Sequence, residues 1–369
     1  MKEINIMRKN VLMIVPTFNY AGGIESFVMN TLRFMNHEVF QIDIMTHELT
    51  AHDYVKEVEK YGGQVYQLPR FSPRNVSQIK EMYESILQAK NYDVVHCNMA
   101  NAAFLYLGIA KRYRIPVRIL HSHQNKAADK LSHAIRNVPL LYIGKKWLTH
   151  RIACSKIAGD YLFGKAPYDL VYNAIDYNLY QFDSSVRREV RTELGFSESD
   201  VILGHTGRLT PQKNQLFLIQ LLSDLRQKSL DKSYHLVLVG EGEDKESLLN
   251  LAATLQVSEF VHFLGERNDI PRLLQAFDLF VFPSLYEGVG ISVLEAQAAG
   301  LYSICSSGVP EEADISPSIV HLDLNDKQAW LTAIDQVYHR TATPPVLDEK
   351  YDIRQNAERL SNLYHRYLS

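Results

Sequence analysis

The sequence predicts an α/β protein of two doubly wound, parallel-sheet domains, and three observations carry that reading. Short apolar stretches alternate with longer amphipathic ones along the chain, the pattern of repeated βα units. The alternation runs as two successive series separated by a charged, strand-free interval at 187–200. The length, 369 residues, exceeds what one core comfortably fills and suits two domains of ordinary size.

In the first series the expected strands are Val11–Thr17, Phe40–Met45, Gln64–Leu68, Val94–Cys97, Val117–His121, Arg151–Cys154 and Leu170–Tyr172. Helical stretches fall between them, among them Glu25–Phe34, Val76–Ala89 and Ala102–Lys111. The second series gives Val201–Gly204, His235–Val239, Val261–Phe263, Leu279–Phe282, Ser303–Cys305 and Ile319–His321. Thr343-Pro344-Pro345 leads to a last helix, Ile353–Tyr367. The expected domains are 1–173 and 174–352, with the terminal helix at about 353–369 packing back onto the first. A cleft is expected between them. In open α/β sheets ligands bind beyond the carboxyl ends of the strands, so functional candidates should follow strands directly.

Composition narrows the function. A chain 46% hydrophobic and 22% charged is an ordinary globular protein, which sets aside disordered and fibrous classes. Net charge is only −3, but residues 111–156 hold eleven Lys/Arg against one acid, Asp129. That asymmetry points to a basic face meeting an anionic partner. Val138–Ile143 and Lys145-Lys146-Trp147 within it resemble a membrane-surface helix. No RNP, zinc-finger or helix-turn-helix signature accompanies the charge, so nucleic acid is not expected. Cys97, Cys154 and Cys305 are scattered, which fits a reducing, cytoplasmic compartment. The apolar run Val11–Val15 is too short for a signal peptide, and no run approaches the ~18 residues of a membrane span.

The sharpest constellation follows Leu279–Phe282. A turn-rich stretch, Pro283 to Gly290, leads into the helix Ile291–Ala299, which Gly300 should end. Gly288 and Gly290 leave amides at a helix start free to meet an anion. Glu295 has Ile291, Ser292, Ala298 and Ala299 at helical neighbour positions and no base within reach. Ligand hydroxyls would satisfy such a carboxylate; the alternative is a side chain pointing to solvent. After Val201–Gly204 comes His205-Thr206-Gly207-Arg208-Leu209-Thr210-Pro211-Gln212-Lys213-Asn214. Pro211 marks the expected first turn of a helix. Lys213 there opposes the helix dipole and fits best if a bound anion offsets the repulsion, and Arg208 could serve the same phosphates; the alternative is that both are solvated loop charges.

Three weaker signals complete the set. Gly22-Gly23 follows the first strand and allows close backbone approach, although it is not a dinucleotide fingerprint. His121-Ser122-His123 closes the fifth strand, where histidine can act as acid, base or substrate ligand, or be a satisfied loop residue. No carboxylate or Cys joins the pair at ligand spacing, so a metal site is not expected.

Together these residues resemble the retaining glycosyltransferases of family GT4, which have the GT-B fold of two facing Rossmann-like domains. The marks are Gly22-Gly23-x-Glu25, the His-x-His at 121–123, Val171-Tyr172-Asn173-Ala174-Ile175-Asp176, Gly207-Arg208 with Lys213-Asn214, and Phe282-Pro283-Ser284 leading to Glu287-x7-Glu295. The last is the most specific. Two details depart from common family usage: Ala174 stands where Gly is frequent, and Leu301-Tyr302-Ser303 replaces a Pro-Val strand start.

The resemblance implies a nucleotide-sugar donor, favoured as a UDP-sugar over GDP-mannose, on the C-terminal domain and an acceptor on the N-terminal one. Glu295 would hold the ribose hydroxyls. Glu287 and the amides of Gly288, Val289 and Gly290 would meet the donor sugar and diphosphate, and Arg208 and Lys213 would neutralise the leaving group. The backbone around Glu266-Arg267 would meet the base, and Asn173 belongs to the same donor set. Gly22 and Gly23 would approach the diphosphate or acceptor, with His123, or less favourably His121, beside the reacting sugar. Transfer of a hexose or N-acetylhexosamine would keep the anomeric configuration, the departing phosphate taking the acceptor's proton. No D-x-D motif occurs, so no metal or other cofactor is expected. The expected acceptor is a lipid-linked saccharide at the inner face of a bacterial membrane, in surface polysaccharide synthesis, with other assembly enzymes as candidate partners. The rival readings are a sugar-nucleotide epimerase of the same architecture, a transferase acting on protein or soluble acceptors, and a non-catalytic binding partner.

Overall fold

The structure, a computed structural model, describes residues 8–20, 23–72, 74–123, 139–228, 232–336 and 346–369. The chain divides into two compact units, Met1–Ala174 with Ile353–Ser369, and Ile175–Asp352.

The first unit holds a seven-stranded sheet. Its strands are β1 (Lys9–Ile14), β2 (Phe40–Thr46), β3 (Val65–Gln67), β4 (Val94–Cys97), β5 (Val117–Ser122), β6 (His150–Ala153) and β7 (Asp169–Leu170). The order is β3-β2-β1-β4-β5-β6-β7, and every pairing is parallel. Val11, Leu12, Met13 and Ile14 are all fully buried, as expected of a strand covered on both faces. Their alternation sorts them between two cores. Leu12 and Ile14 join the helices Val76–Ala89 and Ala103–Arg112 on one face. Val11 and Met13 join the helix Gly23–Phe34 and the terminal helix Ile353–Leu368 on the other. Leu360, Leu363 and Tyr364 are that last helix's contribution to the core.

The second unit holds β8 (Asp200–Thr206), β9 (Ser233–Val239), β10 (Val261–Gly265), β11 (Leu279–Phe282), β12 (Tyr302–Ser306) and β13 (Ile319–Leu322). Their order is β10-β9-β8-β11-β12-β13, again parallel throughout. The winding direction reverses between β1 and β4 in the first sheet and between β8 and β11 in the second, which places a ligand crevice at the carboxyl ends of those strands. The chain passes between units at 174/175 and again at 352/353. Ile175 and Asp352 form an isolated parallel bridge at those crossings.

Three expectations change. The interval at 187–200 is strand-free until β8 but contains the helix Ser184–Glu193, capped by Asp183, whose carboxylate accepts from the Ser185 and Val186 amides at 2.7 and 3.3 Å. It reads as polar because arginines make its core contacts. Arg191 is 1% exposed, and its guanidinium donates to the carbonyls of Ala276, Ser197 and Asp200 and to the Asp278 carboxylate.

Pro211, secondly, opens no helix. Residues 211–213 form a turn, Asn214 is left-handed at φ 54, and the helix begins at Gln215 (Gln215–Lys228). A left-handed residue cannot propagate a right-handed helix, so Lys213 stands ahead of the helix rather than in its first turn.

Thirdly, Lys145, Lys146 and Trp147 do not present one face. The Trp147 ring lies under the Lys111 ammonium at 4.7 Å and packs against the first core, where Gly108 leaves it room. The exposed apolar groups beside these lysines are Tyr142 and Ile143. Lys126, Lys130, Arg136 and Asp129 of the basic segment lie outside the described residues. Among the described residues no helix is long and apolar enough to cross a membrane.

Candidate active site

In the second unit, adjacent strands β8 and β11 deliver their loops side by side. The loop after β8 is tied back to the end of β9 by Gly207 and Leu209 amides, bonded to Val239 and Glu241 carbonyls at 2.9 and 3.0 Å. A Cβ at Gly242 would stand 2.1 Å from the Leu209 carbonyl, so that approach needs glycine. The same loop is stitched to the one after β11. Gln212 donates from Nε2 to the Tyr286 carbonyl at 2.8 Å and accepts from the Leu285 amide at 2.8 Å.

Within this frame Lys213 Nζ lies 2.7 Å from Glu287 Oε1, with side chains 13% and 8% exposed. The Ser284 hydroxyl donates to the same carboxylate, and the Phe282 ring lies 4.6 Å from the ammonium. Lys213 therefore has its counter-charge inside the protein, so it is neither a solvated loop charge nor dependent on a bound anion to offset it. Arg208 differs. Its side chain is exposed and makes no ion pair among the described residues, so it is the cation left available.

Glu287 donates its amide to the Gly308 carbonyl at 3.0 Å, after which the chain swings through Gly288 and Val289 to Gly290. Gly290, at φ 84 and ψ 73, precedes the helix Ile291–Ala298. The amides of Gly288, Val289 and Gly290 meet no protein acceptor among the described residues. The helix stops where the sequence placed its end. Gly300 is left-handed at φ 74, with the Leu301 amide bonded to the Ala296 carbonyl and the Gly300 amide to that of Gln297.

Glu295 does not point freely to solvent. It is part-buried and accepts from the Tyr180 hydroxyl at 2.8 Å. Burial pushes its carboxyl up to about 7, with the Tyr180 bond working the other way. Glu266 and Arg267 follow β10, beyond the left-handed Gly265. The Arg267 fork is committed to Asp269 at 2.8 and 2.7 Å.

The first unit gathers a second set at its own carboxyl ends. Gly22 lies outside the described residues; Gly23 begins the helix Gly23–Phe34, whose buried Glu25 accepts from the Thr17 hydroxyl. His121 ends β5 with Ser122, and His123 follows it, the two rings 4.0 Å apart and both against Phe27. His123 Nε2 bonds Asn98 Oδ1 at 2.8 Å, just past β4. His121 Nδ1 bonds His96 Nε2 at 3.0 Å, and His96 Nδ1 bonds the Tyr364 hydroxyl at 2.6 Å. Burial drives His123 down to about 3, with Asn173 nearby opposing it, and pushes His121 well below its ordinary range. Both rings are neutral at pH 7, so they can exchange hydrogen bonds but supply no positive charge. His123 Nδ1 and Asn173 Oδ1 are buried and meet no hydrogen-bond partner among the described residues.

Sequence reasoning missed Tyr180 and Asn98, and named Ser284 and Gln212 within its motifs without giving them a role. Asn98 stands directly after β4, so the rule that sites follow strands could have found it. Tyr180 reaches Glu295 across 115 residues, and no local pattern announces it. Among the described residues no group of three or more His, Cys, Asp or Glu is placed to hold a metal.

Comparison with known proteins gives the family. Residues 21–179 match the family described as Glycosyltransferase Family 4, and residues 186–359 match the one described as Glycosyl transferases group 1. A Bacillus subtilis chain assigned as the glycosyltransferase EpsF is 29% identical over 380 residues, spanning 98% of each chain. The Escherichia coli UDP-Gal:alpha-D-GlcNAc-diphosphoundecaprenol alpha-1,3-galactosyltransferase is 28% identical over 342 residues, spanning 86% of this chain and 84% of its own. Anabaena HepE, solved in complex with UDP and glucose, aligns with a TM-score of 0.79 over 96% of this chain and 99% of its own, at 18% identity, which shows a shared fold. With the two family matches falling one on each half and the sheets wound as described, the chain belongs to the group 1, family 4 glycosyltransferases of the GT-B fold.

Proposed function

We propose that this protein transfers a hexose or N-acetylhexosamine, with retention of anomeric configuration, from a UDP-sugar to a lipid-linked saccharide during bacterial surface polysaccharide assembly. The observation that carries the reading is the pairing of the loops after β8 and β11: one holds Arg208, exposed and without an ion pair among the described residues, and the other holds three amides, Gly288 to Gly290, that meet no protein acceptor there. Preorganised donors of this kind stabilise the charge that develops on a departing diphosphate. Lys213 and Glu287 hold the loops in register and add a net-neutral polar wall at the donor sugar. Glu295 takes the ribose hydroxyls, and the backbone at Glu266-Arg267 meets the base. Within the first unit, His123, backed by His121 and with Asn173 near it, offers neutral hydrogen-bonding groups to a sugar. Arg208 and the amides carry the leaving-group charge without a metal ion.

The E. coli relative acts on a diphosphoundecaprenol-linked sugar, which supports the same acceptor class here. A place on the inner membrane face fits Tyr142 and Ile143, exposed beside the half-buried Lys145 and the exposed Lys146. The test supplies a panel of UDP-sugars with and without an N-acetylhexosaminyl-diphosphoprenol acceptor and follows UDP release and product linkage. Acceptor-dependent release with an α-linked product is expected. Interconversion of the sugar nucleotide without acceptor would instead establish an epimerase.

A further inference from the structure

Arg208 presents an exposed guanidinium, yet its main chain is fixed from the core of the second unit. The fixing begins on β11. The Val281 carbonyl lies 2.9 Å from His205 Nδ1, on the neighbouring strand β8. A carbonyl only accepts, so the proton of neutral His205 is on Nδ1 and Nε2 carries a lone pair. Burial holds that ring down to about 3, the Val281 bond opposing and Lys213 reinforcing, so it is neutral at any working pH.

Gln215 Nε2 lies 3.1 Å from His205 Nε2. Because that nitrogen accepts, the amide must turn its NH2 group toward it. The same NH2 group donates to the Arg208 carbonyl at 2.8 Å. The reversed amide would set its oxygen against two acceptors at once, so the orientation is determined from both ends. Gln215 is 1% exposed, and its buried Oε1 has no partner among the described residues. The amide thus serves two acceptors, one of them the Arg208 main chain, while its own oxygen goes unserved.

We propose that His205 and Gln215 are positioning residues for Arg208. The hydrogen-bond chain from Val281 through His205 and Gln215 to the Arg208 carbonyl sets the turn that aims the guanidinium at the diphosphate of the sugar nucleotide. This rests on Arg208 being a diphosphate ligand, as the proposed function has it.

The test is a double-mutant cycle read by calorimetric titration with UDP and, separately, with uridine, which lacks the diphosphate. Gln215→Leu should weaken UDP binding about tenfold, the scale of one misplaced charged contact, and leave uridine unchanged. Arg208→Ala should do the same, and the double variant should be no worse than Arg208→Ala. Gln215→Met replaces Gln215→Leu if thermal unfolding shows that the latter fails to fold. A Gln215 loss that persists in the Arg208→Ala background, or that is equal for UDP and uridine, or no loss at all, overturns the positioning role. Wild-type UDP affinity in Arg208→Ala would overturn the diphosphate assignment itself, and the proposal with it.

Discussion

Glu295 shows how far a single residue can be read. Its lack of a helical partner was visible in the sequence and correctly marked it as needing donors from elsewhere. That one donor is Tyr180 was not visible, because the pair is made by tertiary packing. Burial has a further consequence. The carboxyl is raised from 4.5 to about 7 in the folded chain, so its charged form is worse off folded than unfolded. Its contribution to stability is fully present below 4.5 and is lost as pH rises through about 7. Donor binding should run the other way, because ribose hydroxyls donate best to the ionised carboxylate. UDP affinity is therefore expected to rise as pH increases toward and past 7 and then level off. Glu295→Gln should bind more weakly and lose that slope, while gaining stability relative to the wild type at high pH. Calorimetric titration across this range checks it, and an unchanged slope in the glutamine variant would remove Glu295 from the donor site.

At the scale of elements, the helix Ser184–Glu193 is the most informative. Asp278, just ahead of β11, accepts from Arg187 at 2.5 Å, from Arg191 at 3.2 Å and from the Ile202 amide at 2.7 Å. One carboxylate thus joins the helix to β8 and β11. Removing it strands a nearly inaccessible guanidinium, so Asp278→Ala should destabilise the second unit by about 3–5 kcal/mol. Arg187→Ala should cost less, since the Arg191 and Ile202 bonds to Asp278 remain. Urea unfolding followed by fluorescence of Trp330, which is fully buried in the same unit, measures both; equal midpoints for wild type and Asp278→Ala would refute the role. The strands were legible because apolar runs such as Leu279–Phe282 are fully buried and need no partner to be recognised. The helix was not, because beside Val190 it buries Arg191, and the Ala276 and Asp278 acceptors that tie that guanidinium to the neighbourhood of β11 lie some 85 residues away. The turn at Pro211 misled for a similar reason: proline is compatible with a helix start, and only the left-handed Asn214 postpones it.

For the whole molecule, the division into two units makes stability a pair of quantities rather than one. Residues 353–369 belong to the first unit although they follow the second in sequence. Their helix covers one face of the β1-centred sheet with Leu360, Leu363 and Tyr364, and Arg366 and Tyr367 bond the Asp169 carboxylate of β7. Leu360 is fully buried, and cutting it back leaves a cavity against the sheet. Leu360→Ala should therefore cost about 2–5 kcal/mol, confined to the first unit. The two tryptophans make this separable, since Trp147 lies in the first unit and Trp330 in the second. With Trp330→Phe as background, the Leu360→Ala transition reported by Trp147 should move to lower urea. With Trp147→Phe as background, the transition reported by Trp330 should stay where it was. Equal shifts in both would mean that the units unfold as one cooperative block, and that the terminal helix stabilises the whole chain rather than the sheet it covers.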